Sequence, residues 1–258
     1  MTESLRAYLD FATEIAWEAG RLTLGYFQTG LRPDFKSDES PVTVADRQAE
    51  ELIRRRIESR YPTHAILGEE FGSTGKTGQS HRWIIDPIDG TRSFVRGVPL
   101  YAVLIGLEID GEVKVGVANF PALGEIITAA SGEGCHWNGR AAKVSTTPTL
   151  KEAVVAHYDA AAFAKAGKQA AWERLQQAAG YRAGWCDAYG YLLVATGRAD
   201  VMLDPVMAAW DCGPWPPVFQ ETGGFFGNWQ GVSTIYGREA AATTQTLLPE
   251  LLKILNDA

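Results

Sequence analysis

Cysteine is scarce: Cys135, Cys186 and Cys212 are the only three in 258 residues. An odd number, widely spaced and without a Cys-x-x-Cys pair, excludes a disulfide framework and a cysteine-based zinc motif. No stretch reaches the roughly 18 consecutive apolar residues of a membrane span. Residues 1–19 mix Glu3, Arg6, Asp10 and Glu14 among their apolar positions and do not read as a signal peptide. Positive charge is also in short supply. Lys and Arg number 24 against 31 Asp and Glu, giving a net charge of −7. That balance, with no Lys/Arg run longer than the three arginines at 54–56 to offset it, argues against a general nucleic-acid binder. These absences lead to the expectation of a cytoplasmic protein with neither nucleic acid nor membrane as its partner. An acidic chain still binds an anion where a metal inverts the local field.

The residues that are present centre on 83–92, Trp-Ile-Ile-Asp-Pro-Ile-Asp-Gly-Thr-Arg. The apolar run 83–85 reads as a buried strand that ends on Asp86. Pro87 is expected to stop further pairing, because it has no N–H and a fixed φ. Asp89 follows three residues after Asp86, so a tight turn aims both carboxylates at one point. A helix is expected to begin at Gly90 and Thr91, where unpaired N–H groups attract anions. Two hard oxygen ligands beside an anion-binding turn suit Mg²⁺ carrying a phosphate. The same five residues, Asp-Pro-x-Asp-Gly, also make an ordinary turn.

Around this stretch, apolar spacing predicts a long helix from about Leu5 to Gly30 and a second over 43–60. Ala45, Ala49, Leu52, Ile53 and Ile57 form the second helix's buried face, and Arg54, Arg55 and Arg56 its solvated side. Residues 36–40 and 71–80 read as polar loops. Strands are expected at 64–68, 101–109, 112–119, 125–130 and 134–137, with a hairpin at Asp110-Gly111. The second half alternates: strands at 153–157, 181–184 and 199–203, helices at 160–179, 187–196, after Asp211, and at 247–255. No linker, repeat or low-complexity segment divides the chain. It reads as one unit, 1–258, with an α+β half (1–147) and an α/β half (148–258), and a site between them.

Further carboxylates end apolar runs: Glu69 after 65–68, Asp204 after 201–203 and Asp211 after 208–210. Each alone reads as a cap or surface residue, Asp211 specifically as an N-cap. Together they offer the several carboxylates from separate segments that a Mg²⁺ site needs. Asp46 is either a first-turn residue favoured by the helix dipole or the partner of a hydroxyl such as Thr91. The four histidines, His64, His81, His136 and His157, are scattered and none forms a metal-spaced pair. Trp137, Trp185, Trp215 and Trp229 read as core or interface residues. Ser131 and Cys186 lack the setting of a catalytic nucleophile.

These motifs, in order, resemble those of the inositol monophosphatase-like phosphatases: Gly68-Glu69-Glu70, the stretch 83–91, Trp210-Asp211 and Thr222-Gly223-Gly224. The resemblance covers nearly the whole chain. It implies an αβαβα layered sandwich, a homodimer, and hydrolysis of a small phosphate monoester with two or three Mg²⁺ per active site. By position, Glu69, Asp86, the Ile88 carbonyl, Asp89 and Asp211 would hold the metals. Gly90 and Thr91 would hold phosphate, with Arg92 beside them. Thr91, Asp46 and Glu69 would act on the attacking water, without a phosphoenzyme.

The second half carries the substrate expectation. Residues 186–191, Cys-Asp-Ala-Tyr-Gly-Tyr, and 193–200 resemble the histidinol-phosphate phosphatase branch, as does Asp204-Pro205. Carboxylates at Asp187, Asp204 and Asp211 would complement a cationic substrate. Asp187 as a plain N-cap is the competing reading. Two features depart from the family pattern. Pro214, Pro216 and Pro217 follow Asp211 where relatives are Ala-rich, and Ser40 replaces an acidic residue, which implies a weaker third metal. The rivals are an inositol-1-phosphate or other sugar-phosphate phosphatase, and a non-catalytic ligand-binding protein. A bisphosphate substrate would need basic residues, and Arg92 is the one candidate nearby.

Overall fold

The computed structural model describes residues 3–36, 40–75, 78–184 and 186–257. Trp185, and the centres of the two expected loops at 37–39 and 76–77, lie outside the described residues. The first half contains α1 (Leu5–Tyr26), the ribbon β1 (Asp34–Phe35) and β2 (Pro41–Val42), and α2 (Val44–Arg60). It continues through β3 (Ala65–Gly68), β4 (Gly72–Thr74), β5 (His81–Asp89) and the short α3 (Thr91–Val95). Then come β6 (Ala102–Ile109), β7 (Glu112–Phe120), β8 (Glu125–Ala130), β9 (Gly134–Trp137) and β10 (Arg140–Ala141). The second half runs β11 (Val154–His157), α4 (Ala160–Lys165), α5 (Gln169–Ala178), β12 (Tyr181–Ala183), α6 (Ala188–Ala195) and β13 (Val201–Asp204). It closes with α7 (Ala209–Cys212), α8 (Trp215–Thr222), β14 (Gly224–Gly227), β15 (Ala240–Thr244) and α9 (Leu248–Asn256).

The strands form an eight-stranded sheet, β10-β9-β8-β7-β6-β5-β3-β4, and a five-stranded sheet, β12-β11-β13-β15-β14. Their packing yields five layers. Trp83 and Ile85 of β5 face α1 and α2, while Ile84 between them faces the opposite core, which α6 and α8 share with the second sheet. Strands sandwiched in this way are apolar on both faces, so they read as continuous runs rather than alternating ones. The outer face of the second sheet buries Phe163, Trp172 and Leu251 from α4, α5 and α9. The order is αβαβα.

A notch in the first sheet seats the segment that carries Asp211. Gly106 and Gly116 are cross-strand partners on β6 and β7. A Cβ at Gly106 would lie 2.5 Å from the Gly213 carbonyl oxygen, and one at Gly116 2.1 Å from that of Pro214. Only bare backbone lets the α7–α8 junction rest there.

Several expectations need correction. Pro87 does not end β5. The ladder to β6 shifts register after Asp86 and resumes at Asp89 opposite Ala102, so the missing N–H falls inside a bulge. α1 stops at Tyr26, because Gln28 and Gly30 turn the chain with φ of 60° and 78°. The helix expected over 160–179 is two, split where Gly167 takes φ 71° and Lys168 N–H reaches the Phe163 carbonyl. The loop 71–80 contains β4. Arg54 is buried rather than solvated, while Arg55 is exposed and Arg56 pairs with Glu14 at 2.7 Å. His64 and His81 are not scattered: their rings stack 4.5 Å apart, and burial, then the neighbouring His81, lowers the His64 pKa to about 4. β14 and β15 lie where no strand was expected. Trp215 and Trp229 are core residues, and Trp137 is half-buried.

Candidate active site

β3 and β5 run parallel, with Gly68 opposite Ile85. Their ends therefore deliver Glu69 and Asp86 side by side, and Glu69 N–H donates to the Ile85 carbonyl at 3.2 Å. Past Asp86 the bulge folds back on itself. Asp86 Oδ1 accepts the Ile88 N–H at 3.0 Å, which turns the chain and brings Asp89 to the same side. Gly90 then takes φ 79° and α3 begins at Thr91. The opening N–H groups of a helix have no carbonyl one turn earlier, and such groups attract anions.

Asp211 arrives from the other half. It is the third residue of α7 and not an N-cap, and its Oδ2 accepts the Ala208 N–H at 2.7 Å. The prolines explain the geometry. α7 is a separate single turn, and α8 starts afresh with Pro214 as its cap and Pro216 and Pro217 in its first turn. No intrahelical N–H is required there. One carboxylate oxygen from each of Asp86, Asp89 and Asp211 lies within 4.8 Å of the others.

Asp46 satisfies both of its readings. Its Oδ2 accepts the Thr43 N–H at 2.8 Å and the Thr43 hydroxyl at 2.5 Å, capping α2. Its Oδ1 lies 3.2 Å from Thr91 Oγ1, whose proton the Ile88 carbonyl also attracts at 3.0 Å. Asp187 stands at the N-cap of α6 but makes no capping bond. Its Oδ2 instead accepts the Ser93 hydroxyl at 3.2 Å. The Ala188 N–H, the first of α6, donates to Asp89 Oδ2 at 2.7 Å.

Asp187, Ser93 and Arg92 line an open cleft of about 780 Å³, together with Tyr158, Asp159 and Lys165. Arg92 is exposed at its rim. Asp204 is set back: it is 4% exposed, and its Oδ2 accepts the Tyr191 hydroxyl at 2.8 Å. Its charge acts on Asp187 and Asp211, and, like Asp86, Asp89 and Asp211, it does not line the cleft. Sequence reasoning missed Lys36, whose Nζ lies 2.8 Å from both Glu69 Oε1 and Glu70 Oε1. A single lysine in a polar loop carries no signal of such a contact. Tyr158 and Asp159 were missed for the same reason, since nothing marks the end of β11 as a cleft wall.

The electrostatics favour a cation at the carboxylate cluster. Burial raises Asp86 well above the usual carboxylate range, and the charges of Glu69, Asp89 and Asp211 push it further. Asp89 is raised by burial, then by Asp187 and Asp211. Burial lifts Asp211 to about 7 against the pull of the Ala208 N–H. Asp187 is lifted to about 6 by burial, opposed by Ser93 and Arg92. Crowded carboxylates with raised pKa values hold protons only until a divalent cation replaces them. Oxygen-only donors converging from three segments fit a hard divalent ion. Cys186 is buried beside Asp187 and its thiol is pushed up to about 11, so it is no nucleophile at neutral pH.

Comparison with known proteins agrees. The model of the inositol monophosphatase family matches residues 4–258. A histidinol-phosphatase of Chlorobaculum parvum is 42% identical over 241 residues, 93% of each chain. A histidinol-phosphatase of Mycobacterium tuberculosis is 37% identical over 255 residues, 96% of this chain and 97% of its own. The crystal structure of the extragenic suppressor protein suhB from Bartonella henselae superposes with a TM-score of 0.90 at 26% identity, over 98% of this chain and 99% of that one. With its five layers and its carboxylate cluster, the chain belongs to the inositol monophosphatase family and is a phosphatase.

Proposed function

We propose that the chain is a Mg²⁺-dependent histidinol-phosphate phosphatase of histidine biosynthesis, a cytoplasmic homodimer whose two halves act as one catalytic unit. The observation that carries the substrate is Asp187. Its carboxylate lines the cleft and lies close enough to Asp89 to raise it, where a neutral polyol needs hydrogen bonds but no added negative charge. Histidinol phosphate carries an ammonium and a protonatable imidazole, and a charge-assisted bond to Asp187 complements the first. Asp204 adds negative potential. The names of the two relatives above support the same choice.

Glu69, Asp86, Asp89, Asp211 and the Ile88 carbonyl hold the metals in this reading, with a third site weaker near Ser40. When bound, Mg²⁺ neutralises the phosphate oxygens, acidifies a water and steadies the leaving oxygen. The protein's own groups supply the rest. The Gly90 and Thr91 N–H groups orient the phosphate, and Arg92 flanks it at the rim. Thr91 gives its proton toward Asp46, so its lone pairs accept from the attacking water and aim it at phosphorus. The water oxygen bonds phosphorus as the ester P–O bond breaks. Asp46, whose carboxyl is raised by burial, can receive the water's proton through Thr91, and the departing alkoxide takes a proton from solvent to give L-histidinol.

The test is phosphate release from L-histidinol phosphate by the purified protein with Mg²⁺ and with EDTA. Release that EDTA abolishes and Mg²⁺ restores supports the reading. Release indifferent to EDTA, or none, contradicts it.

A further inference from the structure

Glu50 is wholly buried and lies outside the cleft lining. It sits one turn beyond Asp46 on α2, and Arg54 one turn beyond that, so the three share one helix face. Asp46 meets Thr91. Glu50 and Arg54 meet the segment that carries Glu69. Glu50 Oε2 accepts the Glu70 N–H at 2.7 Å. Its Oε1 accepts the Phe71 N–H at 3.2 Å and Arg54 Nε at 2.7 Å. Arg54 then donates to the Gly72 carbonyl and, at 3.3 Å, to the Thr74 hydroxyl. The backbone is also seated tightly against the pair. A Cβ at Gly68 would lie 2.0 Å from Glu50 Oε1 and 2.8 Å from Arg54 Nη2.

A buried ion pair is a costly way to obtain stability, since well-packed apolar residues serve as well. What a carboxylate adds is direction. Each oxygen of Glu50 fixes one backbone N–H immediately after Glu69, and the guanidinium fixes two points of the returning strand. We propose that Glu50, with Arg54 as its counter-ion, is a positioning residue for the metal site: it sets the turn that aims Glu69 at Asp86. α2 thereby spaces the Asp46–Thr91 pair from Glu69 with one rigid element. This inference rests on the reading of Glu69 as a metal ligand.

The experiment is calorimetric titration of Mg²⁺ into EDTA-stripped, desalted wild type, Glu50→Gln and Arg54→Lys, each with circular dichroism to report folding. Gln places an NH₂ where one oxygen of Glu50 accepts a backbone N–H, so two donors oppose each other. Loss of an outer partner of a metal ligand typically weakens affinity by roughly 10–100-fold, and that loss is expected for folded Glu50→Gln. Arg54→Lys keeps the charge but loses the fork, so a smaller weakening in the same direction is expected. The substrate KM at saturating Mg²⁺ stays unchanged in both. Wild-type Mg²⁺ affinity in folded Glu50→Gln, with only a lowered melting temperature, would overturn the proposal. If Glu50→Gln does not fold, wild-type affinity in Arg54→Lys overturns it. A wild type that binds no Mg²⁺ overturns the metal reading itself, and this inference with it.

Discussion

Asp89 and Ala188 are 99 residues apart in sequence, yet the Ala188 N–H donates to Asp89 Oδ2 at 2.7 Å. The residue before Ala188 is Asp187, and Ser93 of α3 holds its carboxylate. The start of α3, the carboxylate cluster and Asp187 are therefore joined by hydrogen bonds from both halves of the chain.

Asp187→Asn keeps the size of the side chain and removes its charge. A hydrogen bond to a charged group contributes about 1.5–3 kcal/mol, so kcat/KM for L-histidinol phosphate is expected to fall roughly 10–100-fold. Activity on inositol 1-phosphate, which has no ammonium, falls far less. Steady-state kinetics on both esters checks this, and equal losses would remove Asp187 from substrate selection.

Gly90 has φ 79°, and a Cβ there would lie 2.9 Å from both Asp187 Oδ2 and the Leu100 carbonyl oxygen. Gly90→Ala is expected to destabilise the fold by about 1–3 kcal/mol through backbone strain. It also displaces Asp187, so activity falls further than the loss of folded protein explains. Thermal unfolding and kcat, measured on the same preparation, separate the two effects.

Thr91→Ala removes the hydroxyl that Asp46 accepts from, which the proposed mechanism sets against the attacking water. Proton-transfer groups typically contribute 10²–10⁴-fold, so kcat is expected to drop by at least about 100-fold with KM little changed. Thr91→Ser restores the hydroxyl and most of the rate. A serine variant as slow as the alanine variant would show that the hydroxyl is not what matters.

Stability without metal should depend on pH in an unusual direction. The raised pKa values of Asp211, about 7, and Asp187, about 6, let the folded metal-free protein bind protons that the unfolded chain, near 3.8, does not. The resulting stability is complete below the unfolded value and is lost as pH rises through 6 to 7. His64, lowered to about 4, acts oppositely, losing its contribution as pH falls. The difference in melting temperature between Mg²⁺-loaded and EDTA-treated protein isolates the carboxylates. That gap is expected to widen by on the order of 5 °C from pH 5 to pH 8. A constant gap would contradict proton–metal competition at the cluster.

The acidic centre was legible because its chemistry is local. Asp86, Ile88, Asp89, Gly90 and Thr91 are one short run, and Glu69 and Asp211 each end an apolar segment. The layers were legible for the same reason: α2 and β8 follow directly from apolar spacing. What escaped depends on contacts between distant residues. Arg54 looked solvated because its partners, Gly72 and Thr74, are backbone and hydroxyl groups in a strand too short to recognise. Lys36 looked like loop polarity until Glu69 and Glu70 came within 2.8 Å. Asp204 looked like a substrate residue, and Tyr191 turns it inward. β14 and β15 were invisible because Gly-Phe-Phe-Gly and an alanine-rich pentapeptide acquire strand character only by pairing with each other and with β13.

The most direct test of the account compares kcat/KM for L-histidinol phosphate and inositol 1-phosphate, side by side, at saturating Mg²⁺. A preference for histidinol phosphate that collapses in Asp187→Asn is the predicted result. A preference for inositol phosphate, with Asp187→Asn leaving the ratio unchanged, would contradict the substrate assignment while leaving the metal-dependent phosphatase in place.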